Sequence, residues 1–174
     1  MIIPGTKQVS VSENTTRLEK LVCPWLMRGH SLQISMIYDD AETRQWARDV
    51  YDRVEKVAGT NGVRATWWKM SDLSAPGVLA GAVSTAMRAN VIVVSTLASE
   101  GLSLPFYVWA ETWLPHRLPG PGALVALLGA SEQPLFGAGR VKEYLRAVAR
   151  EGRMDFVVEE WCPSPIAESL NPPV

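Results

Sequence analysis

Two adjacent carboxylates, Asp39 and Asp40, are the residues best placed to do chemistry, because they directly follow an apolar, strand-like run. Such a pair can hold Mg²⁺, a hard cation that binds a few carboxylates and keeps several waters. The alternative use is structural, since Asp at a helix start accepts backbone N–H groups and favours the positive helix end. Glu42 follows Asp39 by three residues, which is the spacing of a reciprocal capping box. We therefore expect Asp39 to be a helix N-cap, with a metal site at Asp39 and Asp40 as the alternative.

Further acids and hydroxyls follow the later strand-like runs, where the ligand-binding edge of a parallel sheet would lie. No GxGxxG, GxxxxGKS/T or GxSxG motif occurs, so the dinucleotide, P-loop and triad-hydrolase interpretations fail. We accordingly predict no cofactor. The predicted ligand rim consists of Asp39, Asp40, Asp72, Ser95, Thr96 and Ser131.

Composition and charge define the broad class of the chain. Its 174 residues, 47% hydrophobic and 20% charged, are enough for one ordinary domain. A formal net charge of −1 supplies no field that would draw the chain to nucleic acid or an anionic membrane, so neither partner is expected. Cys23 and Cys162 do not form a CxxC pair, which indicates a reducing compartment. No signal-peptide or membrane-span pattern occurs, and we predict a cytoplasmic protein.

A regular alternation of strand and helix patterns must position these side chains. Strand-like segments cover residues 31–38, 63–70, 91–96, 123–128 and 155–160, and a helical pattern follows each of the first four. Parallel strands need right-handed crossovers of this kind. The pattern predicts an α/β fold: a doubly wound, five-stranded, mainly parallel sheet in the flavodoxin-like order 2-1-3-4-5, with helices on both faces. Gly59 and Gly152 are expected to end the first and fourth helices.

The predicted domain spans residues 31–161, with an N-terminal extension at 1–30 and a loose tail at 162–174. No helix follows the fifth strand, although this strand order usually places one beside the first helix. Uncovered apolar surface is unfavourable, so either the extension or a second subunit should cover that face, and a homodimer stays open. The extension carries apolar residues at helical spacing: Leu18, Leu21, Val22, Trp25 and Leu26.

The strand pattern and the acids after strand one resemble a response-regulator receiver domain. That family has an acidic pair after strand one, a phosphorylated Asp ending strand three, Ser or Thr after strand four, and Lys after strand five. Asp39, Asp40 and Ser131 match the pattern, whereas strand three ends in hydroxyls and strand five in Glu159-Glu160. The resemblance implies a degenerate receiver without the phosphoacceptor, acting as a non-catalytic signalling or protein-interaction module.

A second resemblance is to TIR domains, which share this strand order. It rests on Asp72-Leu-Ser-Ala-Pro-Gly77, the run Val91–Ser95 and Trp109-Ala-Glu111. Enzymatic TIR domains cleave NAD with a Glu on the helix after strand three, so the resemblance implies Glu111 as the alternative catalytic residue. The Ser-Tyr pair of that family is missing after strand one.

Over about residues 31 to 161 the sequence also resembles an uncharacterised bacterial family. The shared features are Trp67-Trp68, Leu104-Pro105, the segment Trp109–Leu114 and the segment Tyr144–Ala149. This resemblance implies the same architecture and brings no activity with it.

One surface feature suggests a binding partner. Lys142, Arg146 and Arg150 recur every four residues on the fourth predicted helix, and Arg153 follows. A basic row near a helix C-terminus also interacts favourably with the helix dipole, so a solvated basic face is the alternative interpretation. We predict a protein partner on this row, because partners of receiver-like domains dock on the corresponding face.

Overall fold

The centre of the domain is one sheet of five parallel strands. In the computed structural model, which describes residues 18–23, 29, 31–97, 101–129 and 136–161, these are β1 (Leu32–Tyr38), β2 (Val63–Lys69), β3 (Val91–Leu97), β4 (Ala123–Gly129) and β5 (Asp155–Trp161). Their order is β2-β1-β3-β4-β5, and every neighbouring pair is parallel. The predicted α/β fold and its flavodoxin-like order are therefore confirmed. Ser131, Trp25, Leu26 and the tail 162–174 lie outside the described residues.

Four helices connect the strands: α1 (Ala41–Ala58), α2 (Pro76–Arg88), α3 (Leu104–Trp113) and α4 (Phe136–Glu151). α1 ends before Gly59, whose φ of 80° and ψ of 159° lie in a region that glycine adopts without strain. Two 3-10 turns, Met70–Ser74 and Leu114–His116, lie in the connections after β2 and α3. Among the described helices, none has the length and apolar character that a membrane crossing requires.

The helices pack on both faces of the sheet and form two separate apolar layers. β3 and β4 lie inside the sheet and are buried on both faces. Their sequences are therefore nearly continuous apolar runs. On one face, Ile92 and Leu124 pack with residues of α2, α3 and α4. On the other face, Val93 and Val125 pack with α1. Of the four connecting helices, three thus lie on the first face and one on the second.

A short N-terminal helical segment, residues 18–23, supplies the missing cover on the α1 face. Leu18 and Val22 are 2% and 1% exposed and belong to the same apolar cluster as Ile34 and Val157. Together with Val54 of α1 they border a very small apolar gap. Of the two covers that the sequence leaves open, the described part of the extension is thus found on this face.

An ion pair connects α1 to β5 on the same face of the sheet. Arg53 Nη2 lies 3.0 Å from Glu159 Oε2, and Glu159 is almost fully buried. A carboxylate buried in this way requires a paired cation and satisfied hydrogen bonds, since removing one partner would leave an uncompensated charge. Glu159 on β5 therefore has a structural partner within the domain.

α4 ends at Glu151, directly before Gly152, as the sequence predicts. The left-handed position of this turn is taken by Arg153, with φ of 55°. Met154 N–H donates to the carbonyl of Ala149 at 2.8 Å, and Arg153 N–H donates to that of Arg150 at 3.2 Å. These two bonds form a Schellman motif, so the position that usually carries glycine carries arginine here. A Cβ on Gly152 would lie 3.2 Å from Leu114 Cδ1 and 3.3 Å from the carbonyl oxygen of Val148, so the turn is closely packed at this glycine.

We predict that Leu18→Ala lowers the free energy of unfolding by about 2–3 kcal/mol, because the substitution removes a buried side chain and leaves a cavity. Lys20→Ala, an exposed position on the same segment, is the matched control and should change stability by less than about 0.5 kcal/mol. Urea unfolding of both variants measures the difference. Equal stabilities would mean that residues 18–23 are not part of the core.

Candidate functional site

The predicted rim lies at the carboxyl ends of β1 and β3, where ligands bind in folds of this order. Asp39 and Asp40 directly follow β1, and Ser95 and Thr96 are near the end of β3. Tyr38 is paired with Ser95 in the sheet register, so the two chain segments end side by side. The structure therefore brings four of the six predicted rim residues together.

Asp40, and not Asp39, is the N-cap of α1, which corrects the sequence prediction by one residue. Asp40 Oδ1 accepts the backbone N–H of Thr43 at 2.9 Å. Thr43 Oγ1 in return accepts the N–H groups of Asp40 and Asp39, both at 2.9 Å. Thr43 thus takes the reciprocal role that the sequence spacing predicts for Glu42. A short hydroxyl side chain at this position reaches two N–H groups at once.

Asp39 is bonded to the end of β3. Thr96 Oγ1 donates to Asp39 Oδ2. The neighbouring Ser95 Oγ donates to the carbonyl oxygen of Thr43 at 2.7 Å. Thr43, Ser95 and Thr96 are all fully buried. The hydroxyls that stand at the end of β3 are therefore committed to the first turn of α1 and to the loop before it.

The indole of Trp46 covers the carboxyl ends of β3 and β4. Trp46 is 6% exposed and lies one turn after Thr43 on the inner side of α1. A Cβ on Gly129, the last residue of β4, would lie 2.8 Å from Trp46 Cη2 and 2.6 Å from Leu97 Cδ2. Glycine at 129 is what allows the indole to approach the backbone. We call the set Asp39, Asp40, Thr43, Trp46, Ser95 and Thr96 the closed switch point.

The remaining rim residues do not take part in these contacts. Asp72 lies exposed in the 3-10 turn after β2, where its carbonyl accepts the N–H of Ala75 at 3.0 Å. Ser131 lies outside the described residues. Within the described part of the chain, no three His, Cys, Asp or Glu side chains are grouped as metal ligands. The alternative metal site would thus have only Asp39 and Asp40, and both have hydrogen-bonding partners.

The basic row on α4 is partly engaged within the protein. Arg146 Nη1 lies 2.5 Å from Glu143 Oε1, and the guanidinium of Arg146 stands 5.7 Å from the ring centre of Phe156. Lys142 is half-buried, whereas Arg150 is exposed. The row therefore offers two cations without a described carboxylate partner and one that is shared with Glu143.

Glu111 is exposed on α3, and its neighbour in space is Tyr144 of α4. Burial raises the pKa of Tyr144 to about 12, and the charge of Glu111 acts in the same direction. Trp109 and Trp113, which flank Glu111 in sequence, are fully buried core residues. The helix thus presents Glu111 to solvent while its aromatic face packs inward.

Sequence reasoning did not single out the cation–aromatic contacts beside the closed switch point. The guanidinium of Arg44 lies over the rings of Tyr38 and Trp67, at 5.8 and 5.4 Å from their centres. The ring of Trp67 also meets that of Tyr51 edge to face. The sequence pattern that could have indicated these contacts is an arginine near the start of α1 together with aromatic residues near the ends of β1 and β2.

No protein-family model matches this chain, and comparisons with curated proteins and with solved structures find no match either. The resemblances to receiver domains, to TIR domains and to the uncharacterised bacterial family therefore stay predictions.

Proposed function

We propose that this domain is a non-catalytic signalling or protein-interaction module, similar to a receiver domain that lacks its phosphoacceptor. The observation that supports this most directly is the closed switch point. Its two acids and two hydroxyls hydrogen-bond to one another and to the first turn of α1. In a ligand-binding domain of this fold, the same groups would be available to a metal, a phosphate or a cofactor.

A cation at this edge would share carboxylates that already have structural contacts. Asp40 is the N-cap of α1, and loss of such a cap costs about 1 kcal/mol. Ser95 and Thr96 place hydroxyls near the end of β3, and a hydroxyl cannot form the acyl phosphate on which receiver signalling depends. The module that we propose therefore acts through its surface, in the cytoplasm, which the cysteine content favours.

The proposed partner surface is the basic row on α4. Leu104 and Val108, one turn apart on α3, are 74% and 43% exposed and form a separate apolar area. α3 meets α4 where Tyr107 packs against Tyr144, with ring centres 4.7 Å apart. We propose a protein partner whose contact surface is acidic opposite the row. A homodimer through this surface would have to place like charges of the row against each other, which disfavours it.

The partner surface can be tested by charge reversal. Lys142→Glu/Arg150→Glu should abolish retention of a specific partner on immobilised protein, because two attractive contacts become repulsive. Arg64→Glu, an exposed position on β2 at the opposite sheet edge, is the matched control. A partner that the control retains and the α4 variant loses supports the proposal. A set of retained proteins that is unchanged by the α4 substitutions would contradict it.

The absence of catalysis is tested with the substrates of the two enzyme-like interpretations. After incubation with acetyl phosphate and Mg²⁺, intact-mass measurement should find the protein unmodified, because Asp39 and Asp40 have structural roles. A stoichiometric phosphate on Asp39 or Asp40 would overturn the receiver-like account.

NAD incubated with the protein should remain intact, because Glu111 is solvent-exposed on α3. NAD turnover that Glu111→Gln removes would favour the TIR-like alternative instead.

A further inference from the structure

A second candidate site lies at the opposite, amino-terminal edge of the sheet. A cleft of about 210 Å³ opens between the segment that precedes β4 and the turn that precedes β5. It is independent of the closed switch point and of the basic row. The residues of this cleft that bear on its chemistry are Arg117, Pro119, Gly120, Glu151, Gly152 and Arg153.

The guanidinium of Arg117 is fixed against the backbone of both connections. Nη1 lies within 3.4 Å of the carbonyl oxygens of Leu118, Gly120 and Gly152 and donates to them. Nη2 packs against Gly122, where any Cβ would collide with it. Arg117 thereby holds the β4 connection against the α4–β5 turn, and its position is defined before any ligand arrives.

The charge of Arg117 has no counter-charge among the described residues. Its contacts are neutral carbonyls, and no described carboxylate lies within ion-pair distance. Its Nε is buried and has no hydrogen-bond partner there. Arginine stays protonated in proteins, so a partly desolvated guanidinium of this kind calls for an anion or a bound water. Burial also lowers the pKa of Arg117, in agreement with an unbalanced cation.

Arg153, a second basic residue, also lines the cleft, and its backbone conformation is strained. It occupies the left-handed position of the Schellman motif, where glycine is the unstrained choice. A strained position at a cleft is a recognised marker of function. With Glu151 as the one acid in the lining, two arginines face one glutamate, and the cleft is net positive in a chain whose overall charge is −1.

We propose that this cleft binds a small oxyanion, a phosphate or carboxylate group, between Arg117 and Arg153. Pockets for drug-sized ligands are typically about 300–1,000 Å³, so the observed volume suits a single anionic group and not a nucleotide. Arginine is suited to this role because its planar N–H groups match the oxygens of carboxylate and phosphate. The proposal stands independently of the protein-interaction function.

The test is thermal unfolding with inorganic phosphate, acetate or chloride at constant ionic strength, with binding measured by calorimetry. At a tenfold excess over its dissociation constant, phosphate should raise the melting temperature of the wild type by about 3–5 °C. Arg117→Lys should weaken the shift, but this residue also holds two connections together. Arg153→Gly is therefore the decisive variant, since it removes the cation and relieves the backbone strain.

Arg153→Gly should melt at a higher temperature than the wild type without phosphate, and it should lose the phosphate-dependent shift. Arg64→Ala, far from the cleft, should keep that shift and so controls for the general stabilising effect of phosphate. A shift with phosphate alone assigns a phosphoryl ligand, and an equal shift with acetate assigns a carboxylate such as a chain terminus. No shift in the wild type, or an undiminished shift in Arg153→Gly, would overturn the proposal.

Discussion

The hydrogen bonds around Thr43 are the interaction on which the rest of this structure depends. Its hydroxyl accepts the N–H groups of Asp39 and Asp40, and its own N–H donates to the carboxylate of Asp40. Its carbonyl oxygen accepts the hydroxyl of Ser95 near the end of β3. α1 is thereby held at the switch point, which is where a ligand would enter a fold of this order. Thr43 and Ser95 are fully buried, so loss of the bond between them would leave a desolvated polar atom.

Fixing α1 in this way also determines how the second face of the sheet is closed. Among the four connecting helices, α1 is the one on that face, and Arg53 joins it to Glu159 of β5. Leu18 and Val22 then cover apolar surface that a helix after β5 would otherwise cover. Glu159 thus has a structural partner on α1.

The sequence alone was sufficient for the sheet, because long apolar runs and intervening amphipathic helices leave few alternatives. The β-branched segment Val91–Val94 indicates a buried strand, and the flavodoxin-like order is the natural candidate for a doubly wound sheet with right-handed crossovers. The site was less predictable. Asp39 and Asp40 both have suitable chemistry for a cap, and local spacing could not show that the hydroxyl of Thr43 outcompetes Glu42.

Contacts between distant segments account for the other differences. Thr96 and Asp39 are 57 residues apart, and nothing local indicates that they bond. Gly152 directly follows the last residue of α4, as its residue type indicates, whereas nothing local shows that Arg153 takes the left-handed conformation. The apolar spacing of residues 18–22 predicted a helix, whereas its place on the α1 face depends on the whole sheet.

The central claim is that the protein's own side chains fill the switch point, and the packing of Trp46 on Gly129 tests it most directly. Gly129→Ala should lower the free energy of unfolding by about 1–3 kcal/mol, because the new methyl group overlaps the indole. The effects of Gly129→Ala and Trp46→Leu on the free energy of unfolding should be strongly non-additive when the two substitutions are combined. Gly139→Ala should be tolerated, because the space around Gly139 is open. A Gly129→Ala protein as stable as the wild type, with additive effects in the double variant, would contradict the account.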